Sequence, residues 1–199
     1  MILAAAQTKP KRGDISSNLL NHYHLIELAA QNGANLIAFP ELSITGYERE
    51  NAEALVFTED DYRIDHLKEL SVRNNIVIIA GAPIRIDSKL FIGEFIIAPD
   101  DSVSIYTKQF LHEGEGDFFD SSFDYNPMLT IEDQNISFAI CADIDNPLHP
   151  ENAAKNDTDI YIASIFFSPN GIPNAYSHLQ NYAAKHKMNV LMSNFSGES

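Results

Sequence analysis

Six consecutive residues, Ile76-Val77-Ile78-Ile79-Ala80-Gly81, contain no polar side chain and no alternation. A strand with one wet face alternates apolar and polar residues, whereas an unbroken apolar run marks a central strand covered on both faces. The chain must therefore supply a layer on each side of this strand, which points to a layered α/β architecture.

The rest of the sequence supplies those layers. Residues 2–6 read as a first buried strand, followed by a polar loop with Pro10 and Gly13. Leu19, Tyr23, Ile26 and Ala30 recur at helical spacing, so residues 16–32 form a helix that Gly33 stops. His22 and His24, two residues apart, cannot share a helix face, which argues against a histidine metal pair. Residues 35–39 are a second strand and complete a βαβ opening. A surface helix is expected over residues 60–73 and a turn over 83–89. Strands at 90–98 and 103–106 are joined by Pro99-Asp100-Asp101-Ser102, too short for a crossover, so they make a hairpin and the sheet is mixed. A second hairpin covers 128–131 and 135–140. After it come a short helix at 150–156, a strand at 159–165, a turn at Ser168-Pro169-Asn170-Gly171, a helix at 176–187 and a strand at 189–192. Phe118, Phe119, Phe123 and Tyr125 pack their loop down or line a pocket rim.

At 199 residues the chain suits a single domain spanning 1–199. With 28 acidic against 13 basic residues and no basic stripe, it is a poor match for a phosphate backbone, and nucleic acid is not an expected partner. Its one cysteine leaves no internal disulfide and no cysteine-rich metal site, and suits a reducing compartment. No apolar run approaches membrane-spanning length and the opening lacks a leader pattern. A cytoplasmic protein without membrane contact is the expectation.

The chemistry collects at strand ends, where layered α/β proteins gather their active groups. Glu41 follows the second strand, Lys108 follows the first hairpin, and Cys141 ends the run Ile136-Ser137-Phe138-Ala139-Ile140 before the polar turn at Asp143-Ile144-Asp145-Asn146. A thiolate attacks a carbonyl or nitrile carbon, a lysine beside it favours the thiolate, and a carboxylate can take its proton. The competing constellations are poorer. There is no Gly-x-Ser-x-Gly elbow and no His-Glu-x-x-His, and Asp143 with Asp145 lacks the further ligands of a calcium loop. The glycine-laced loop at Gly114 and Gly116 is acidic and has no phosphate-loop pattern.

Three segments carry a resemblance. Phe39-Pro40-Glu41-Leu42 with Thr45-Gly46-Tyr47, Tyr106-Thr107-Lys108 with Glu113-Gly114-Glu115, and Ile140-Cys141-Ala142-Asp143 with Pro147 and Glu151 resemble, in order, the signature segments of the carbon-nitrogen hydrolase (nitrilase) superfamily, on its amidase and carbamoylase side. Asn194 and Gly197 look like the asparagine and glycine after its next strand. The resemblance implies a four-layer αββα sandwich with mixed sheets. It implies Glu41 as general base, Lys108 stabilising the tetrahedral intermediate, Cys141 as nucleophile and the Ala142 N–H as oxyanion donor. It also implies a second glutamate near the substrate, best matched by Glu115, with Glu113 as runner-up. The substrate would be a small amide, N-carbamoyl compound or nitrile, with ammonia or an amine released and no cofactor or metal.

Two departures stand out. Phe110 occupies a position where many members have histidine, which touches substrate class more than catalysis. The sequence also stops at Gly197-Glu198-Ser199, before the closing strands of the family. A sandwich lacking those strands would expose an edge, so a homodimer or higher homo-oligomer is expected to cover it. A non-catalytic protein acting through association is the alternative.

Overall fold

The computed structural model describes residues 1–196; Gly197 lies outside the described residues. In chain order the elements are β1 (Leu3–Ala5), α1 (Ile15–Gln31), β2 (Leu36–Ala38), α2 (Ala52–Leu55), β3 (Phe57–Thr58), α3 (Asp65–Asn74), β4 (Val77–Ile86), β5 (Lys89–Ile97), β6 (Val103–Thr107), β7 (Leu129–Ile131), β8 (Gln134–Ile140), α4 (Leu148–Lys155), β9 (Ile160–Ser164), α5 (Ile172–His186) and β10 (Asn189–Ser193). One sheet runs β1-β2-β4-β5-β6 with β3 also on β4, and the other runs β10-β9-β8-β7. Both are mixed: β1, β2 and β4 are parallel and β4-β5-β6 antiparallel, while β10, β9 and β8 are parallel and β7 antiparallel.

Alternate residues of each strand enter different cores, as the two-residue period of a strand requires. Leu36, Ala38, Val77, Ile79 and Ile92 face Ile136, Phe138, Ile140, Ile160 and Ile162 in a core between the sheets. Their neighbours Ile37, Phe39, Ile78 and Ala80 turn outward to Leu19 and Ile26 of α1 and Leu67 and Leu70 of α3. On the far side Ala139, Tyr161 and Ala163 pack against Leu179 and Tyr182 of α5 and Ala153 of α4. The order is helix, sheet, sheet, helix, as expected, and Ile76–Gly81 does lie at its centre.

Several boundaries differ from the sequence expectation; the surface helix expected over 60–73 is a tight turn at Tyr62–Ile64 followed by α3 from Asp65. The turn expected from Pro83 begins only after Ile86, because Pro83 falls in the gap on β4 between Ile79, where pairing with β2 ends, and Ile84, where pairing with β3 starts. A strand tolerates proline where no neighbour needs its N–H. Helices α4 and α5 begin at Leu148 and Ile172, before the expected 150 and 176. Pro150 and Pro173 lie in first turns, whose N–H groups have no intrahelical acceptor.

No helix among the described residues is long and apolar enough to cross a membrane.

Candidate active site

Each of the three sequence-selected strand ends is built differently. After β2 the chain turns sharply at Leu42, whose φ is +49°. The turn folds back onto Gly81 of β4, where an added Cβ would stand 2.5 Å from Leu42 N and 3.0 Å from Pro40 O. Only a residue without a side chain permits that approach. Ser43 is held through its hydroxyl to His22 Nε2 at 3.0 Å, while His22 Nδ1 meets the Asn18 carbonyl at 2.7 Å. Burial lowers the His22 pKa to about 4, so the ring is neutral: Nδ1–H donates to Asn18 and Nε2 accepts from Ser43. His24, by contrast, is exposed.

The third strand end is strained. Cys141 has φ +45° at the start of a single tight helical turn, Cys141–Asp145. A non-glycine residue in this region typically costs about 1–3 kcal/mol and persists where its surroundings impose it. Here Asp143 imposes it. Its Oδ1 accepts from the N–H groups of Gln109 and Phe110 at 3.0 and 2.8 Å. Its Oδ2 accepts from the Tyr106 hydroxyl at 2.6 Å and Ile140 N–H at 2.8 Å. One buried carboxylate thus ties the cysteine turn to the segment carrying Lys108.

The result is convergence. Lys108 Nζ donates to Glu41 Oε1 at 2.7 Å and to Glu115 Oε1 at 2.8 Å, with the lysine and both carboxylates closed to solvent. Glu115 also accepts from the Tyr47 hydroxyl at 2.7 Å and from the His112 N–H at 2.7 Å. Glu113 is exposed on the rim, so Glu115 is the carboxylate paired with the lysine. Cys141 joins Glu41 and Glu115 in the wall of an open cleft of about 610 Å³. Ala142 is buried in the turn beside it.

The electrostatics follow from burial and pairing. Burial works against charge on Lys108, but Glu41, Cys141 and Glu115 outweigh it and hold the ammonium above its ordinary value. Glu115 is likewise penalised by burial, yet Lys108, Tyr47 and the His112 N–H bring it below the usual carboxylate range. Glu41 goes the other way: burial prevails over Lys108 and makes it more basic. Its Oε2 has no hydrogen-bond partner among the described residues. Burial, followed by the negative charge of Glu41, pushes the Cys141 thiol well up, with Lys108 and the Phe166 N–H working against that rise. Cys141 is therefore a thiol at rest, beside a carboxylate oxygen with no other bond to make.

Three separate segments form the cleft, through Tyr47 and Arg49, His112 and Glu113, and Phe166 and Phe167. Sequence reading missed Asp145, which lines the cleft and lies 3.3 Å from His178. It also missed Asp143 as a bridge between segments, because hydrogen bonds to residues 34 positions away leave no local pattern. Of the four aromatic residues of that loop, Phe119 joins the core between the sheets and Tyr125 packs on Phe91, whereas Phe118 and Phe123 are exposed, Phe123 standing edge-on to Phe110. No group of three or more His, Cys, Asp or Glu side chains among the described residues is arranged to hold a metal ion.

A family model described as carbon-nitrogen hydrolase matches residues 2–197. An arylacetonitrilase of Aspergillus niger is 26% identical over 113 residues, covering 51% of this chain and 34% of that protein. The chain spans about a third of the length of the first curated relatives it matches. Among solved structures, XC1258 from Xanthomonas campestris, a CN-hydrolase superfamily protein, superposes with a TM-score of 0.90 at 17% identity, covering 98% of this chain and 76% of that one. An amidase from Nesterenkonia sp. AN1, studied with acrylamide added at its active site cysteine, gives 0.86 at 19% identity, covering 98% and 78%.

Proposed function

The chain belongs to the carbon-nitrogen hydrolase family, and from that premise we propose that it hydrolyses the carbon-nitrogen bond of a small amide or N-carbamoyl compound through a Cys141 thioester. The observation that carries the reading is the buried Glu41–Lys108–Glu115 cluster beside Cys141 in the cleft wall. An intact, buried set of this kind weighs against the non-catalytic alternative.

In this mechanism Oε2 of Glu41 takes the Sγ proton as sulfur bonds to the carbonyl carbon, and the carbonyl π pair moves onto oxygen. Lys108 Nζ and the Ala142 N–H stabilise that oxyanion, whose charge exists only in the transition state and the intermediate. Collapse breaks the carbon-nitrogen bond, and the proton held by Glu41 leaves with ammonia or the amine. Water then attacks the thioester as Glu41 accepts its proton. The carbon-sulfur bond breaks, the acid departs, and Glu41 returns the proton to sulfur. Glu115 keeps Lys108 charged and in place, so that the ammonium remains while Glu41 is protonated.

The same proposal takes the matched residues as one catalytic domain that works as a homodimer, with sedimentation velocity as the test of the dimer. The activity test is ammonia release across a panel of aliphatic amides, N-carbamoyl compounds and nitriles. Turnover that disappears in Cys141→Ala supports the reading. Turnover that survives the substitution refutes it.

A further inference from the structure

One buried carboxyl in the centre of the molecule has no part in the mechanism above. Glu94 lies on β5, paired with Gly81 of β4 on one side and Tyr106 of β6 on the other. It falls between Ile92 and Ile96, both in the core between the sheets. It is 1% exposed, and neither carboxyl oxygen has a hydrogen bond meeting ordinary geometry among the described residues. The Ser164 hydroxyl on β9 is near enough to act on it and has no other partner.

The groups that face it decide its state. From the loop after β2 comes Glu41, from the cysteine turn Asp143, and from β6 Tyr106, whose hydroxyl is already directed to Asp143. Gly81 brings no charge from β4. Lys108, the cation of the cleft cluster, already bridges Glu41 and Glu115. Four donors surround Asp143. Glu94 has no such donors and no cation, and an unpaired carboxylate in an apolar layer neutralises instead. Burial pushes it well above the usual carboxylate range; Ser164 offsets this only in part, and Asp143 and Glu41 add to it.

We propose that Glu94 is a proton-holding residue of this centre: a neutral carboxylic acid, bracketed by Glu41 and Asp143 and facing Ser164, whose ionisation shuts the site on the alkaline side. The proposal rests on the hydrolase reading only for its effect on turnover. The physical reason is charge balance. Attack by Cys141 places a new negative charge beside Lys108, and a further carboxylate interacting with Glu41 raises the energy of that state. As an acid, Glu94 adds none.

Two measurements test it. The first is the infrared carbonyl stretch of protonated carboxyl groups in the folded protein at neutral pH, without substrate. The band should be present in the wild type, absent in Glu94→Gln and retained in Glu41→Gln. In Ser164→Ala it should remain at a shifted frequency, which keeps the test decisive if Glu94→Gln does not fold. No band in the wild type, or a band lost only in Glu41→Gln, overturns the proposal. The second is the pH profile of kcat/KM on whichever short amide the wild type hydrolyses. The alkaline limb should move upward by about one pH unit or more in Glu94→Gln; superimposable limbs overturn the role in turnover. Should the wild type hydrolyse nothing in the panel, the hydrolase reading fails while the infrared result still decides the proton on Glu94.

Discussion

Gly81 and Leu42 are in backbone contact across the centre of the fold: the space a Cβ at Gly81 would need is taken by the peptide nitrogen of Leu42, 2.5 Å away. The strand that most constrained the architecture thus also supports the turn that aims Glu41. Scaffold and site are coupled through one missing side chain.

Gly81→Ala is therefore expected to displace the Glu41 turn. Overpacking of this kind costs about 1–3 kcal/mol, seen as a lower urea midpoint. Ammonia release should fall more than stability alone explains, since the folded fraction still holds Glu41 out of position. A variant as active as the wild type would show that the turn adapts without cost.

Glu41→Gln preserves shape and removes the proposed base. With the Cys141 thiol held protonated by burial and by Glu41 itself, kcat/KM should drop by about 10²–10⁴-fold, the usual contribution of a positioned general base. Single-turnover kinetics should show the loss in acylation. A drop of less than tenfold in that step would assign the proton to another group.

Asp143→Asn tests the bridge between the cysteine turn and the lysine segment. An amide offers one oxygen, so either the Gln109 and Phe110 N–H groups or the Tyr106 and Ile140 donors lose their acceptor. Stability should fall by about 3 kcal/mol, read by chemical denaturation. Relaxation of the strained Cys141 backbone should lower kcat by about tenfold or more, with KM less affected.

His22 gives a pH signature that does not involve catalysis. Its folded pKa, about 4, lies below the ordinary 6.5, so the unfolded chain binds the proton more readily. The stability it confers is complete above about pH 6.5, declines as pH falls, and is lost below about pH 4; the span corresponds to about 3 kcal/mol. Thermal melts from pH 7.5 to 4 on the wild type and His22→Gln should converge as the pH drops. Parallel curves would place the pH dependence elsewhere.

Much of this was legible in the residue order alone. Apolar runs of strand length, two short hairpin connections and one helical repeat determined the elements and the mixed sheets, because these signals are local and depend on periodicity. Glu41, Lys108 and Cys141 could be selected because each follows a strand, and strand ends in layered folds point to a common edge.

Other features were settled only when the chain folded. Glu113 and Glu115 have the same loop context in sequence, yet only Glu115 reaches Lys108, because the turn that buries one exposes the other. Pro83 reads as a turn and stands inside a strand, since its missing N–H falls where β4 has no neighbour on that side. Asp143 stands in a signature segment, but its bridging role has no local mark, and Glu94 has none at all; folding gives one carboxyl four donors and leaves the other without an ordinary hydrogen bond among the described residues. Local periodicity therefore determined the layers and the strand ends. Charge state and reach were decided by tertiary packing, because they depend on desolvation and on hydrogen bonds between segments far apart in the chain.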